Sequence, residues 1–384
     1  MNKAAFMTIA GTLCVMILLI RTDRVSSHET LTTTVLFDRE IVHVLNNHCV
    51  MCHVANGPSF PLETYEQTWL HGRQIRASII ARHMPPWSAV SGYGQFANDN
   101  SLTLREMQFV VSWVEGLGPR NAGTVFTNIV DSNAPRRKEV RAEDHSEHWR
   151  LGEPDIVQKL PSDTAGSELG PSVKRVIMDL PSTSDLRLRD LEYLPGDRRL
   201  LHAVFFSVQE TGQWIGSWTP WYGSSLLPQG SAYRLPRGGH IVAEFHYGKG
   251  EARIIEQGTL GLFLADSQAN SAVDDLTMDA RMALSAAAGS RKLHAETRLT
   301  KDSEILALRP EIAPGLQSLE ISARRADGST EVLLFAKDFD LDWPAPYVFQ
   351  EPVRLAKGTV LSMTAHFDSA TPVPNSLHLT IRKK

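Results

Sequence analysis

Hydrophobic and polar positions follow two different periods along the chain, helical near the start and shorter in the remainder. Residues 38–47 begin with Asp38, a residue type that caps helices, and place apolar side chains at helical spacing. A second helical stripe begins at the capping box Thr103–Glu106 and ends at Gly116. The pattern therefore predicts two helices in the first third of the chain.

Beyond Trp149 the pattern changes to short runs rich in apolar and β-branched residues, separated by Gly and Pro. Such runs are typical of antiparallel sandwiches, and the length of this part allows two of them. The predicted strands are 173–180, 200–208, 240–247, 259–264, 304–308, 319–323, 332–335, 360–367 and 377–381.

The stretch 119–146 between the two parts is polar, carries charges of both signs and has no sustained apolar period. These features predict a linker. We therefore expect a multidomain chain in which a small all-α domain precedes all-β sandwiches. The expected divisions are 36–120 for the helical domain, 121–148 for the linker, and 149–268 and 269–384 for the two sandwiches.

The first residues are typical of an export signal. Met1–Lys3 brings a positive charge, the stretch 4–20 is uncharged and largely apolar, and Arg21 follows. We expect residues 1–27 to be a cleaved signal peptide or a signal anchor, because 4–20 is just long enough to cross a bilayer. Either reading predicts a periplasmic or other extracytoplasmic protein, and an anchor would tether it to the inner membrane.

The composition limits which partners and which metal sites the chain can have. A hydrophobic content of 42% fits a soluble globular chain, and a net charge of -4 is too small to predict nucleic acid as a partner. The cysteines are only three, Cys14, Cys49 and Cys52, which excludes a metal site built from four thiolates.

Two of these cysteines form the motif Cys49-Val-Met-Cys52-His53. C-x-x-C-H is the pattern by which haem is covalently attached to a polypeptide. Two thiols one helical turn apart can add to the two vinyl groups of one haem, and the imidazole of His53 can then reach the iron. A redox dithiol is the other reading of the spacing, whereas zinc would need further ligands. The motif favours one haem c as cofactor.

A second axial ligand is predicted in Arg82-His-Met-Pro-Pro-Trp87, where two prolines stiffen the loop that presents Met84. His/Met ligation raises the reduction potential relative to two imidazoles, as suits an electron carrier. The alternatives are His83, His71 or no protein ligand. We expect three aromatic residues to wall the macrocycle, namely Trp87, Tyr93 and Phe96.

The ordered motifs resemble the cytochrome c module that certain bacterial proteins carry ahead of a copper monooxygenase-like domain. The resemblance spans about residues 36–120. It includes C-x-x-C-H, the loop around Met84 and four further phrases, Pro61-Leu-Glu-Thr-Tyr65, Ile75-Arg76, Tyr93-Gly-Gln-Phe-Ala-Asn98 and Val111-Ser-Trp113. Because haem attachment of this type is extracytoplasmic in bacteria, the resemblance agrees with the export signal.

Residues 149–370 resemble the copper type II, ascorbate-dependent monooxygenase family, to which peptidylglycine monooxygenase and dopamine beta-hydroxylase belong. The resemblance implies two jelly-roll sandwiches, each with one copper. Its phrases are Trp149-Arg-Leu-Gly-Glu-Pro-Asp155, Leu200-Leu-His-Ala-Val-Phe-Phe206, Leu235-Pro-Arg-Gly-Gly-His-Ile-Val-Ala-Glu-Phe-His-Tyr247, Leu308-Arg-Pro-Glu-Ile-Ala313 and the stretches 340–344 and 357–369.

The ligands implied by this resemblance are incomplete. In the first sandwich, Leu201 occupies one ligand position, and His202 and His246 match the other two. In the second, Glu311 and Ala313 occupy the His-x-His positions, and Lys384 precedes the segment that supplies the family's methionine ligand. We expect one doubtful copper site at His202 and His246, and they are equally well read as ordinary strand histidines.

The expected function is electron transfer by an exported c-type cytochrome whose partners are redox proteins of the periplasm or membrane. The sandwiches would be a scaffold that has lost catalysis. One alternative is an active copper-dependent monooxygenase fed by the haem, with ligands such as His240 or His294. Another is a ligand-binding sandwich that uses haem as a redox sensor.

Overall fold

The computed structural model describes residues 33–121, 148–165, 172–180, 182–223, 227–248, 254–266, 269, 271–283 and 291–384. The predicted leader 1–27 and nearly all of the predicted linker 121–148 lie outside these residues. Of the described residues, 43% lie in strands and 13% in helices, so this part of the chain is mostly β. In the described residues, no helix combines the length and the apolar character needed to cross a membrane.

The helical part, residues 33–121, begins with a wide helical turn, Phe37–Ile41, which continues into α1, Val42–His48. It also contains α2, Tyr65–Ile80, and α3, Leu104–Glu115. Their buried side chains share one core, which includes Ile41, Leu45, Ile75, Val110 and Trp113. This core is separate from the cores of the strands.

Both predicted helices are confirmed, and the capping box of α3 is present. The Thr103 hydroxyl accepts from the backbone amide of Glu106 at 3.2 Å, and the Glu106 carboxylate accepts from the amide of Thr103 at 2.9 Å. Sequence reasoning missed α2, whose apolar stripe is weak because Trp69, Leu70 and Ile80 are exposed. The capping box of Thr64 and Gln67 was the available signal.

Nineteen strands follow among the described residues, and they include all nine predicted ones. They are β1 Ile156–Lys159, β2 Asp163–Ala165, β3 Ser172–Asp179, β4 Leu186–Leu194, β5 Leu201–Val208, β6 Trp214–Trp218, β7 Ser231–Leu235, β8 His240–Tyr247, β9 Ile254–Glu256, β10 Thr259–Leu264, β11 Ser271–Ala272, β12 Asp274–Arg281, β13 Lys292–Arg298, β14 Ser303–Pro310, β15 Leu316–Arg324, β16 Thr330–Lys337, β17 Tyr347–Leu355, β18 Val360–Phe367 and β19 Ser376–Lys383.

The first strand set, β1–β11, contains a five-stranded sheet in the order β1-β10-β4-β7-β11 and a four-stranded sheet in the order β3-β8-β5-β6. A separate pair joins β2 to β9. Side chains from the two larger sheets share one core, to which Leu191, Phe206, Tyr233, Phe245 and Leu262 belong. Alternation along β8, with Ile241, Ala243 and Phe245 buried, is the strand period that the sequence predicted.

The second strand set, β12–β19, is joined in one hydrogen-bonded order, β16-β15-β18-β13-β12-β19-β14-β17. All eight strands contribute buried side chains to the same core, so the sheet must curl around it. The change from one set to the other falls between Ala272 and Asp274, a few residues after the expected division at 268.

One expectation about the helical part is wrong. The segment Ser88–Asn98 pairs with the second strand set, where the amide of Val90 donates to the Phe335 carbonyl at 2.8 Å. The aromatic rings of this segment and of the preceding Trp87 contact the second strand set. Trp87 and Phe96 contact Tyr347, with ring centroids 5.2 Å and 5.4 Å apart, and Tyr93 contacts Phe335 at 5.5 Å. Trp87 and Phe96 therefore pack in the second strand core, Tyr93 is exposed beside it, and none of the three lines the cavity that holds the motif.

Candidate functional site

A cavity lies where the helical part meets the second strand set. Its wall contains the motif residues Cys49, Cys52 and His53 together with Met84, which are distant from one another in sequence. Apolar side chains complete most of the wall, including Leu62, Ile75, Ile79, Pro85, Pro86, Leu102 and Trp343. An apolar pocket with a few convergent polar groups is the usual form of a cofactor site.

The cavity measures about 140 Å³, which is smaller than the roughly 300–1,000 Å³ usual for small-molecule pockets.

The backbone explains why the two thiols face the same space. Helix α1 ends at His48, and the amide of Cys49 still donates to the Leu45 carbonyl at 2.9 Å. The next turn is closed by the amides of Cys52 and His53, which both donate to the Cys49 carbonyl, at 3.1 Å and 2.9 Å. The C-x-x-C spacing therefore forms a single turn, as two bonds to one macrocycle require.

His53 is oriented for metal binding by its second ring nitrogen. Its Nδ1 donates to the Phe60 carbonyl at 2.8 Å, which places the proton on Nδ1 and leaves the lone pair on Nε2. A metal-binding imidazole commonly makes such a bond, because it fixes the tautomer and the ring orientation. Burial lowers the pKa of His53, so the neutral form that binds metal is favoured.

The thiols themselves do not resemble a redox pair. Burial raises the pKa of Cys49 to about 12, and burial raises that of Cys52 to about 12 even though Arg198 partly opposes the shift. Reactive dithiols need a lowered pKa, because the thiolate is the nucleophile. The raised pKa values therefore argue against thiol-disulfide exchange, which is one of the two readings of the C-x-x-C spacing.

Of the three candidates for the second axial ligand, the structure brings only Met84 to the cavity. His83 is exposed, although it neighbours Met84 in sequence. His71 stacks on Phe60, with ring centroids 3.9 Å apart and planes at 18°. The thioether of Met84 is therefore the best placed of the three to face an iron bound by His53.

Sequence reasoning missed two cavity residues. His48 hydrogen-bonds through Nε2 to Glu106, the capping residue of α3, at 3.2 Å. Its position directly before Cys49 was a signal that could have identified it. Trp343 comes from the loop between β16 and β17 and has no local signal, because only the packing of the strands brings it to the helical part.

The two expected copper ligands each have a protein partner. His202 on β5 donates from Nδ1 to the Asp342 carbonyl at 2.7 Å. His246 on β8 lies 3.0 Å from Glu244 through Nε2 and meets Phe205 edge-on. No three His, Cys, Asp or Glu side chains converge as a metal site among the described residues. The structure thus gives both histidines a packing role without requiring an ion.

The remaining residues considered for copper are also engaged. His240 hydrogen-bonds through Nδ1 to Glu210 at 2.7 Å, and His294 lies 3.0 Å from the Thr364 hydroxyl through the same atom. In the second strand set, the amide of Glu311 donates to the His378 carbonyl at 2.7 Å, and its carboxylate accepts from the His378 amide. Ala313 has no side-chain donor.

Glu244 is the centre of an ion-pair cluster between the two strand sets. Its carboxylate accepts from His246, from Arg309 of β14 at 3.0 Å and from Arg175 of β3 at 2.8 Å. These hydrogen bonds and charges, that of His246 foremost, lower its pKa from 4.5 to about 2. The side chain is only 16% exposed, so little water screens the cluster.

We expect Glu244→Gln to destabilise the protein at neutral pH. A carboxylate whose pKa is lowered on folding stabilises the fold while ionised, here by roughly 3 kcal/mol above pH 4.5, and that stability is lost as the pH falls toward 2. Urea unfolding should show a lower midpoint for the variant at pH 7 and a smaller difference at pH 3. The matched control is Glu296→Gln, an exposed carboxylate beside His294. Equal midpoints for both variants at pH 7 would contradict this role.

Comparisons with known proteins do not indicate a function for this site. No family model matches the chain, and no curated protein matches it. One similar solved structure is PBCV-1 VP54 fitted into a reconstruction of the virophage Sputnik, 10% identical over 59% of this chain and 92% of that chain, with a TM-score of 0.22. Another is a secreted protein from Eubacterium rectale, 10% identical over 58% and 73%, with a TM-score of 0.16. Scores this low carry no argument about function.

Proposed function

We propose that this chain is an exported c-type cytochrome that transfers electrons through one covalently bound haem. The observation that carries the proposal is the meeting of Cys49, Cys52, His53 and Met84 around one largely apolar cavity. A chance C-x-x-C-H motif has no reason to share a cavity with a half-buried methionine from a different loop. The resemblance to bacterial cytochrome c modules supports the same function.

The residues present fit a haem. Cys49 and Cys52 would hold the macrocycle by two thioether bonds, and His53, oriented by the Phe60 carbonyl, would be a ligand of the iron. Met84, which lines the same cavity, would be the second protein ligand. When bound, the haem supplies a one-electron couple whose potential depends on the axial ligands and on the surrounding dielectric.

The chain's own contribution is to position that couple and keep water away. The turn after α1 fixes both thiols, the Phe60 carbonyl fixes the tautomer of His53, and the two prolines after Met84 restrict its loop. Apolar side chains such as Ile75 and Ile79 line the cavity and lower its dielectric. No bond of a substrate is made or broken, so the partners we propose are other redox proteins outside the cytoplasm.

For the strands we propose a scaffold for docking instead of an oxygen-activating centre. The proposal that these strands form a double jelly-roll related to copper monooxygenases is based on the sequence resemblance. The Asp342 carbonyl occupies Nδ1 of His202 and leaves its Nε2 available, whereas Glu244 occupies Nε2 of His246. Among the described residues, no third His, Cys, Asp or Glu side chain converges with them as a metal site. An oxygen-activating copper site needs more fixed ligands than these two histidines offer.

The test is the composition of the purified chain, produced in bacteria that can mature c-type cytochromes. We expect the denatured polypeptide to exceed its sequence mass by one haem and to contain one iron per chain, without stoichiometric copper. The control is the same gene in a strain without cytochrome maturation, which should give the bare mass. A bare mass from the competent strain would overturn the proposal, and stoichiometric copper with hydroxylation of a peptide would favour the monooxygenase.

A further inference from the structure

Trp343 is the point at which all three parts of the molecule meet. It lies in the second strand set, between β16 and β17, yet it lines the cavity formed by the helical part. Its indole stacks on His202 of the first strand set, with ring centroids 3.7 Å apart and planes at 10°. Trp343 therefore lines the cavity and also contacts a buried imidazole.

The loop that carries Trp343 is held by hydrogen bonds within the loop and by a hydrogen bond from His202. The amide of Trp343 donates to the Asp340 carbonyl at 3.1 Å, and the amide of Asp342 donates to the Asp340 carboxylate at 2.9 Å, which closes a tight turn. The carbonyl of Asp342 then accepts from Nδ1 of His202. His202 thus contacts both the backbone and the indole of this loop.

His202 itself has little freedom to move. It is 8% exposed. Gly248 lies against its ring, and a Cβ atom at Gly248 would come within 2.2 Å of Cε1 of His202. The imidazole is therefore confined between the backbone at Gly248 and the indole of Trp343. Any added atom at Gly248 must move the imidazole, and with it the stack.

We propose that Trp343 closes the haem cavity against water and raises the reduction potential, and that His202 is the residue that positions it. This inference rests on the proposed function and extends it, since it assigns to both strand sets a part in tuning the haem. The physical reason is electrostatic. Ferric haem carries one more positive charge than ferrous haem, so excluding water disfavours the ferric form and raises the potential.

The test compares variants of the full-length haem-loaded protein by redox titration and by the rate at which ferric iron binds cyanide. We expect Trp343→Ala to lower the potential and to speed cyanide binding several-fold. Trp343→Phe should lie between this variant and wild type. His202→Ala should shift both readouts in the same direction, because it removes the support behind the indole, and Gly248→Ala should shift them because it displaces the imidazole from the stack. The matched control is Leu341→Ala, an exposed apolar residue of the same loop.

The outcomes separate this inference from the proposed function. Wild type without covalent haem would overturn both. Haem-loaded wild type and Trp343→Ala with equal potentials and equal cyanide rates would overturn only the role of Trp343. A Leu341→Ala shift as large as that of Trp343→Ala would also overturn it, because the loop and not the indole would then be responsible. If Trp343→Ala fails to accumulate, Trp343→Phe and Gly248→Ala decide by the same criteria.

Discussion

Replacement of both Cys49 and Cys52 by serine should abolish covalent haem attachment completely. The thioether bond forms at sulfur, and serine keeps the size of the side chain but cannot replace that atom. Each single variant retains one thiol on the same turn and should keep some haem through one bond. Denaturing gels stained for haem, together with the mass of the denatured chain, measure both results.

The control for this pair is Cys14→Ser, which makes the same chemical change in the predicted leader, outside the described residues. It should leave haem content at the wild-type level. Haem that survives denaturation in the double variant would show that another side chain holds it. In that case the interpretation of Cys49-Val-Met-Cys52-His53 as an attachment motif would be wrong.

Met84→Ala should convert the iron from low spin to high spin and lower its reduction potential. The thioether is a soft ligand that favours ferrous iron, and alanine offers nothing in its place. We expect a decrease on the order of 0.1 V, within the range of about 0.8 V over which axial ligands set haem potentials. Visible spectra of the ferric protein and redox titration measure the two effects.

Two further variants identify the ligand. Met84→His should keep the iron low-spin but also lower the potential, because imidazole stabilises ferric iron better than a thioether. His83→Ala, a change in the exposed neighbour of Met84, should leave both readouts unchanged. A wild-type spectrum for Met84→Ala, with loss of the low-spin state in His83→Ala, would move the ligand to His83.

Local features of the protein could be predicted because neighbouring residues produce them. The turn at Cys49 and His53 depends on hydrogen bonds between residues three or four apart, and the start of α3 depends on Thr103 and Glu106. The strands followed from short apolar runs such as 240–247. Helix α2 was missed because it exposes apolar residues such as Trp69, which blurs its stripe.

Proximity in sequence did not predict which surfaces the aromatic residues contact. Trp87 and Phe96 lie close to the haem motifs in sequence and were expected beside the macrocycle, but they pack on Tyr347 in the second strand core. Of the aromatic residues that do line the cavity, Phe60 is close to the C-x-x-C-H motif in sequence, but Trp343 is far from it. Apolar packing is not directional, so an aromatic side chain contacts whichever apolar surface the assembled fold brings near it.

Spacing along the backbone was enough to predict the helical approach to Cys49, the single turn that carries Cys49 and Cys52, and the mostly β character of the chain beyond Trp149. The packing of the fold was needed to show that Met84 and not His83 lines the cavity, that His246 contacts Glu244, and that His202 stacks on Trp343. Those contacts join residues from separate elements, and their partners are fixed by how helices and sheets pack.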